Sequence, residues 1–231
     1  LNEAINSIKK KFNNKDIIPL QMDVTDLSSI NSCQNILLNK NIYTDILINN
    51  AAIDPKVSND NNIENSSRFE NFPIDEWEKQ INVGLTGAFQ CSKVFGSKMV
   101  ERNSGGVILN IASDLSIIAP DQRIYQKKGL KDEQQPVKPV TYSVIKTGLV
   151  GLTKYIATYW GDKNIRCNAL SPGGVFNNQD KEFVSSLTDL IPLKRMANAD
   201  EYKSAIQFLC SDASSYMTGF NLVMDGGRTV W

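Results

Sequence analysis

Asp45-Ile46-Leu47-Ile48-Asn49-Asn50-Ala51 is the stretch that decides the fold. A short apolar run closed by small polar residues is how a buried parallel strand reads. Both faces are covered, so the run does not alternate, and the chain leaves the sheet at its carboxyl end. Gly106 to Ser113 (GVILNIAS) repeats the pattern, as does Asn164 to Leu170 before Ser171-Pro172-Gly173-Gly174. Phe220 to Met224 repeats it before Asp225-Gly226-Gly227, and upstream Ile17 to Val24 (IIPLQMDV) reads as a further strand.

Between these runs the spacing turns helical. Leu1 to Phe12 carries Leu1, Ile5, Ile8 and Phe12 at helical intervals. Asp26 to Asn39 comes next, with Asp26 as N-cap. Pro73 to Glu101 predicts a long helix with Trp77, Ile81, Phe89 and Val94 on its apolar face. Thr141 to Tyr159, Asp180 to Leu190 and Asp200 to Ser211 predict three more. Asp54 to Asn71, rich in Asn and Ser, reads as a loop, and Asp114 to Val140 as irregular, with Pro120, Gly129, Pro136 and Pro139. Strict alternation of strand and helix predicts an α/β fold: a doubly wound, mostly parallel sheet, Rossmann-like, with helices on both faces. We expect a single domain over residues 1–231 with an insertion at about 114–140.

Composition narrows the chemistry. Twenty-five Lys and Arg balance 25 Asp and Glu, so no net field draws the chain to nucleic acid or an acidic membrane. No apolar run is long enough to span a bilayer, and no signal peptide is expected. Cys33, Cys91, Cys167 and Cys210 form no C-x-x-C pair and read as reduced, mostly buried thiols of a cytoplasmic protein. Histidine is absent, which removes a Ser-His-Asp triad and any His-ligated metal site. Serine, tyrosine and lysine are left for acid/base work without a metal.

In such a sheet, ligands bind at the carboxyl ends of the strands. Asp23, Asn49-Asn50-Ala51, Ser113 and Pro172-Gly173 sit at those ends, and Tyr142 and Lys146 open the helix at the same edge. Tyr142-x-x-x-Lys146 puts a phenol and an ammonium one turn apart on one face. A phenol titrates near pH ~10, and a lysine cation beside it favours the phenolate. Such a group can give and take a proton near neutrality, as reversible carbonyl/alcohol chemistry requires. The bland alternatives are a packed ring beside a snorkelling cation, a hydroxyl that ends a strand and ordinary turn residues.

Taken in order, Asp23-Val24, Asn49-Asn50-Ala51-Ala52, Asn82, Ser113, Tyr142-x-x-x-Lys146, Pro172-Gly173 and Asp225-Gly226-Gly227 resemble the short-chain dehydrogenase/reductase family along the whole chain. Ala52 stands where that family usually has glycine. Ala119-Pro120-Asp121-Gln122-Arg123, with Ser171 to Gly174, resembles a bacterial subgroup tied to flagellin modification and nonulosonic acid synthesis. The resemblance implies Tyr142 as general acid/base and Lys146 as its activator and partner of the nicotinamide ribose. It implies Ser113 at the substrate carbonyl, where charge develops, and Asn82 holding a water in a proton relay. For the cofactor, NAD or NADP, it implies Asp23 and Val24 at the adenine, Asn49, Asn50 and Ala51 at the adenosine ribose, and Pro172, Gly173 and Val175 along the nicotinamide. Strand-end pinning by the Asn amides is the alternative for Asn49 and Asn50. The resemblance further implies a homodimer or homotetramer through the helices at Pro73 to Glu101 and Thr141 to Tyr159. Phe89, Phe95, Tyr155 and Trp160 would supply its aromatic surface.

Two features depart from the family pattern. The glycine-rich loop that cradles a pyrophosphate at a helix N-terminus is missing. So is the next strand end, which tells NAD from NADP; an N-terminal strand-helix-strand is expected to precede Leu1 in the natural protein. The second departure is the long segment before Tyr142, carrying Arg123, Lys127, Lys128, Lys131 and Lys138 with Tyr125 among them. A basic lid there would suit an acidic or phosphorylated sugar, with Arg123 as a substrate contact. A solvated surface insertion balanced by Asp121, Asp132 and Glu133 is the other reading. The sequence therefore predicts a nicotinamide-dependent oxidoreductase on a small polar substrate. A non-catalytic dinucleotide- or partner-binding protein on the same fold stands as the alternative.

Overall fold

Four parallel strands in the order β1-β2-β3-β4 form the sheet of the computed structural model, which describes residues 2–12, 17–53 and 67–231. They are β1 (Ile46–Asn49), β2 (Gly106–Ile111), β3 (Ile165–Pro172) and β4 (Asn221–Met224). Asn49 pairs with Asn110, Asn110 with Ala169, and Ala169 with Asn221. The carboxyl ends therefore come out side by side. The helices are α1 (Asn2–Phe12), α2 (Leu27–Asn39), α3 (Ile74–Ile81), α4 (Gly87–Arg102), α5 (Val140–Tyr159), α6 (Lys181–Asp189) and α7 (Lys203–Cys210).

Covering on both faces explains the unbroken apolar runs. Ile108 packs with Met99, Ile156, Ile165 and Cys167 towards α4 and α5, while its neighbour Leu109 packs with Leu170, Ala205 and Leu209 towards α7. Ile108 and Leu109 are both fully buried, so successive residues fill opposite cores. Asp26 caps α2 by accepting the Ser28 N–H at 2.8 Å, and Asp180 caps α6 by accepting those of Glu182 and Phe183.

Three expectations need correction. Ile17 to Val24 forms no strand, because no described strand adjoins it to complete a ladder. Among the described residues β1 is an edge strand, with Ile46 and Ile48 44% and 42% exposed, while Met22 and Val24 pack instead onto Ile30, Cys91 and Phe95. The helix expected over Pro73 to Glu101 is interrupted by a π turn at Asn82–Thr86. Beyond the π turn Val94 packs onto the core as expected, whereas Phe89 lies 51% exposed rather than on the apolar face. Phe95, expected at the surface, is buried, and Trp160 packs onto the core beside Gly96. Residues 54–66 of the expected Asn/Ser-rich loop lie outside the described residues.

Glycines set the spacing between the π turn and α5. A Cβ on Gly84 would stand 2.7 Å from Ile145 Cγ2, and one on Gly148 would stand 2.9 Å from Leu85 Cδ2. Only a bare backbone allows that approach, which fixes the height of the residues beside Ile145.

Candidate active site

Tyr142 and Lys146 lie in the first two turns of α5, whose N-cap is Pro139. Lys146 is buried, and its Nζ donates to the Ile111 carbonyl at 2.8 Å, at the end of β2. The same ammonium stands 5.6 Å from the centre of the Tyr142 ring, and Lys138 Nζ stands 3.9 Å from it. Two cations thus flank one phenol ring, an arrangement favoured by the ring quadrupole.

Ser113 lies two residues beyond Ile111 and is also buried. Its Oγ donates to Asp114 Oδ1 at 2.7 Å and accepts the Leu115 N–H at 3.2 Å. Ser116 and Ser171 hydroxyls lie 3.0 Å apart, and Ser171 donates to Asn221 Oδ1 at 2.8 Å, which ties the turn after β2 to β3 and to the first residue of β4. Asn82 opens the π turn, its carbonyl accepts the Gly87 N–H, and its side chain is exposed. The π turn packs against α5 through Gly84 and Ile145, the residue before Lys146.

The cofactor candidates divide into exposed and internal groups. Asp23 is exposed, and its carboxyl is held below the usual carboxylate range by the Thr25 hydroxyl and then the Thr25 N–H. Val24 packs against Gly87, where a Cβ would come within 2.8 Å of it. Asn49 is turned inward: its Nδ2 donates to Asn110 Oδ1 (2.8 Å) and Ser92 Oγ (3.0 Å), and Asn110 Nδ2 donates to Thr153 Oγ1 (2.8 Å). Its side chain pins the strand end to α4 and α5, whereas Asn50 and Ala51 are exposed beyond it.

Pro172 ends β3, and Gly173 lies so close to Asp225 that a Cβ would meet its Cα at 2.8 Å. Tyr202 Oη donates to the Gly173 and Met224 carbonyls at 3.1 and 3.2 Å. Burial first, then the charges of Asp114 and Glu201, push its phenol up to about 12. Val175 bridges Ala197 through the flanking Gly174 carbonyl and Phe176 N–H. Its own N–H therefore points to the opposite side. A basic ammonium, a turned-out backbone N–H and exposed strand ends form a donor set that fits the ribose and carboxamide of a nicotinamide nucleoside.

Beside the start of α5 opens a cleft of about 660 Å³, lined by Arg68, Ile117, Pro120, Lys138 and Ser143 among others. Ser113 and Tyr142 stand outside its lining, and Lys138 joins the two regions. Arg123 is not at this cleft. Its guanidinium is bidentate on Asp121 two residues back and its side chain is 80% exposed, so the Asp121-x-Arg123 spacing satisfies it locally. The cations that do line the cleft are Arg68 and Lys138. Sequence reading also passed over Asp114 and Arg228, whose carboxylate and guanidinium meet at 2.7 Å behind Ser113. Adjacency of Asp114 to Ser113 was the one available signal; nothing local links them to position 228.

A family model described as Enoyl-(Acyl carrier protein) reductase matches residues 1–229. The chain is 30% identical over 213 residues to D-threitol dehydrogenase from Mycolicibacterium smegmatis, covering 90% of this chain and 72% of that protein. It is 28% identical over 237 residues to NAD-dependent glycerol dehydrogenase from Listeria innocua, covering 100% of this chain and 82% of the relative. The crystal structure of a short chain dehydrogenase from Leptospira borgpetersenii with bound NAD+ superposes with a TM-score of 0.82 at 32% identity, covering 94% of this chain and 78% of the other. The chain belongs to the short-chain dehydrogenase/reductase family.

Proposed function

We infer that the chain is a nicotinamide-dependent oxidoreductase that interconverts an alcohol and a carbonyl on a small polyhydroxylated substrate. The observation that carries this is the fixed placement of Lys146 between the Tyr142 ring and the end of β2, two residues from Ser113. Relatives named for threitol and glycerol support the substrate class.

A bound nicotinamide supplies the hydride acceptor or donor. Tyr142 takes the alcohol proton at its phenol oxygen, or returns it to the carbonyl. Lys146 holds positive charge beside that oxygen and bonds the nucleoside ribose. Ser113 meets the substrate oxygen where charge develops. Asn82 holds the water behind Lys146. Asp23, Val24, Asn50 and Ala51 border the adenosine, while Pro172, Gly173 and Val175 border the nicotinamide. Asn49 acts through strand position rather than contact.

The finer readings belong to the same proposal. An anionic sugar, such as the flagellin-modification resemblance implies, would meet Lys138 and Arg68 at the cleft. A homodimer or homotetramer in the cytoplasm would cover Phe89, Tyr155 and Tyr159, which lie 51%, 64% and 62% exposed on α4 and α5. No described helix is long and apolar enough to cross a membrane.

The test is a screen of the purified protein with NAD and with NADP against glycerol, threitol, arabinitol and an acidic sugar, monitoring reduced cofactor. Turnover of any, lost in Tyr142→Phe, supports the reading. Cofactor binding without turnover of any alcohol or carbonyl favours the non-catalytic alternative. Sedimentation showing only monomer at micromolar concentration would remove the oligomer.

A further inference from the structure

Ser113 has one proton and two lone pairs to offer. The proton goes to Asp114 Oδ1 at 2.7 Å, and the Leu115 N–H takes one lone pair at 3.2 Å. Asp114 is 3% exposed and acts only as an acceptor when ionised. Its Oδ1 also accepts the Leu115 N–H at 2.9 Å, and its Oδ2 accepts Arg228 Nη1 at 2.7 Å. Arg228 is itself 8% exposed, and its Nε–H is buried without a partner among the described residues.

Stability is a poor reason for this pair. A buried ion pair seldom outdoes an apolar replacement, and an orphaned Nε–H adds cost. The turn that delivers Arg228 is nonetheless closely specified. Asp225 accepts the Gly227 and Thr229 N–H groups at 2.9 and 2.7 Å. Gly226 and Gly227 have φ of 69° and 92°, and a Cβ on either would strike Ile191 or Pro192 at 2.7 or 2.8 Å. The last turn of the chain is thus built to hold a cation behind the carboxylate that grips Ser113.

We propose that Asp114 and Arg228 are positioning residues that set which way the Ser113 proton points. The inference rests on the oxidoreductase reading, which gives Ser113 a substrate oxygen to meet. At rest the proton lies on the Asp114 side, so it is withheld from the substrate oxygen until the alcohol proton has begun to pass to Tyr142. As negative charge develops on the substrate oxygen, the Ser113 O–H rotates from Asp114 to that oxygen. Arg228 makes the rotation possible by drawing on Asp114 from its other oxygen, which weakens the carboxylate as an acceptor. In the rotation itself only hydrogen bonds exchange and the Ser113 proton stays on its oxygen; the proton that moves is the alcohol's, to Tyr142.

A double-mutant cycle on the full chain tests this, with glycerol and D-threitol as probes and NAD or NADP as cofactor. Arg228→Met, which leaves Asp114 a stronger acceptor, should lower kcat about tenfold, the factor expected for one hydrogen bond, and Asp114→Asn, a weaker acceptor, should relieve that loss in the double variant, with cofactor KM unchanged. Arg228→Lys should recover most of the loss. In a Ser113→Ala background the same changes should cost less than about twofold, because residues that act through one group do not add. Full additive losses assign both residues to folding and overturn the proposal. A Ser113→Ala variant with wild-type kcat overturns it too, and removes Ser113 from the mechanism.

Proton NMR reads the contact without any substrate and also covers a variant that fails to fold. A serine hydroxyl held by a buried carboxylate exchanges slowly and should give a resonance lost in Ser113→Ala. Its absence from the wild-type spectrum overturns the proposal. Failure to turn over any polyol, with that resonance present, counts against the proposed function alone.

Discussion

Lys146 Nζ donates to the Ile111 carbonyl at 2.8 Å, which fastens the helix carrying Tyr142 to the end of β2, two residues before Ser113. A buried ammonium needs such a partner, and its position is then set by the sheet rather than by its own flexible stem. Lys146→Met should therefore lower kcat and weaken cofactor binding together, while costing ~1–3 kcal/mol of stability for the carbonyl left unpaired. Steady-state kinetics, cofactor titration and urea unfolding would check the three effects. A variant unchanged in both kcat and cofactor affinity would make Lys146 a structural tie only.

Tyr142→Phe removes one oxygen from a half-buried ring. Turnover should fall by ~10²–10⁴, the usual contribution of a positioned acid/base, with the melting temperature unchanged. Near wild-type kcat would assign the proton transfer elsewhere.

Gly84→Ala puts a methyl group 2.7 Å from Ile145 Cγ2. The expected cost is ~1–3 kcal/mol from overpacking, with a loss of kcat as α5 shifts Lys146. Ile145→Ala in the same chain should recover part of the activity by opening space. No recovery would mean that Gly84 matters through the π turn itself and not through α5.

Thr153→Val leaves Asn110 Nδ2 without its 2.8 Å acceptor in the fully buried network that holds Asn49. The loss should be ~1–3 kcal/mol, the desolvation cost of a stranded donor. Denaturant midpoints would read it, and a neutral result would show that water reaches the site.

Glu201 is held low, from 4.5 to about 2, first by the Arg195 guanidinium and then by the Asn198 N–H. The folded carboxyl is the stronger acid, so its contribution is present above pH 4.5 and is lost as pH falls through about 2. Glu201→Gln should flatten that part of the acid limb in a plot of melting temperature against pH. It should change nothing near neutrality beyond what one exposed ion pair contributes. An unchanged acid limb would place the transition in other carboxylates.

Runs such as Asp45 to Ala51 and Gly106 to Ser113 determined the parallel sheet from sequence alone, because a strand buried on both faces must be apolar along its length. The order of the strand ends likewise placed Ser113, Tyr142 and Lys146 at a common edge. What sequence could not fix was which way each polar side chain turns. Asn49 reads as a strand-end ligand group, but only packing against Ser92 and Asn110 directs it inward. Arg123 reads as a lid cation, but Asp121 two residues away captures it. Ile17 to Val24 has a strand's composition, yet a strand exists only where a neighbour completes its ladder. Arg228 meets Asp114 across 114 positions of chain, a contact that no local pattern encodes. Local spacing sets periodicity and burial; tertiary packing selects the partner each donor and acceptor finds.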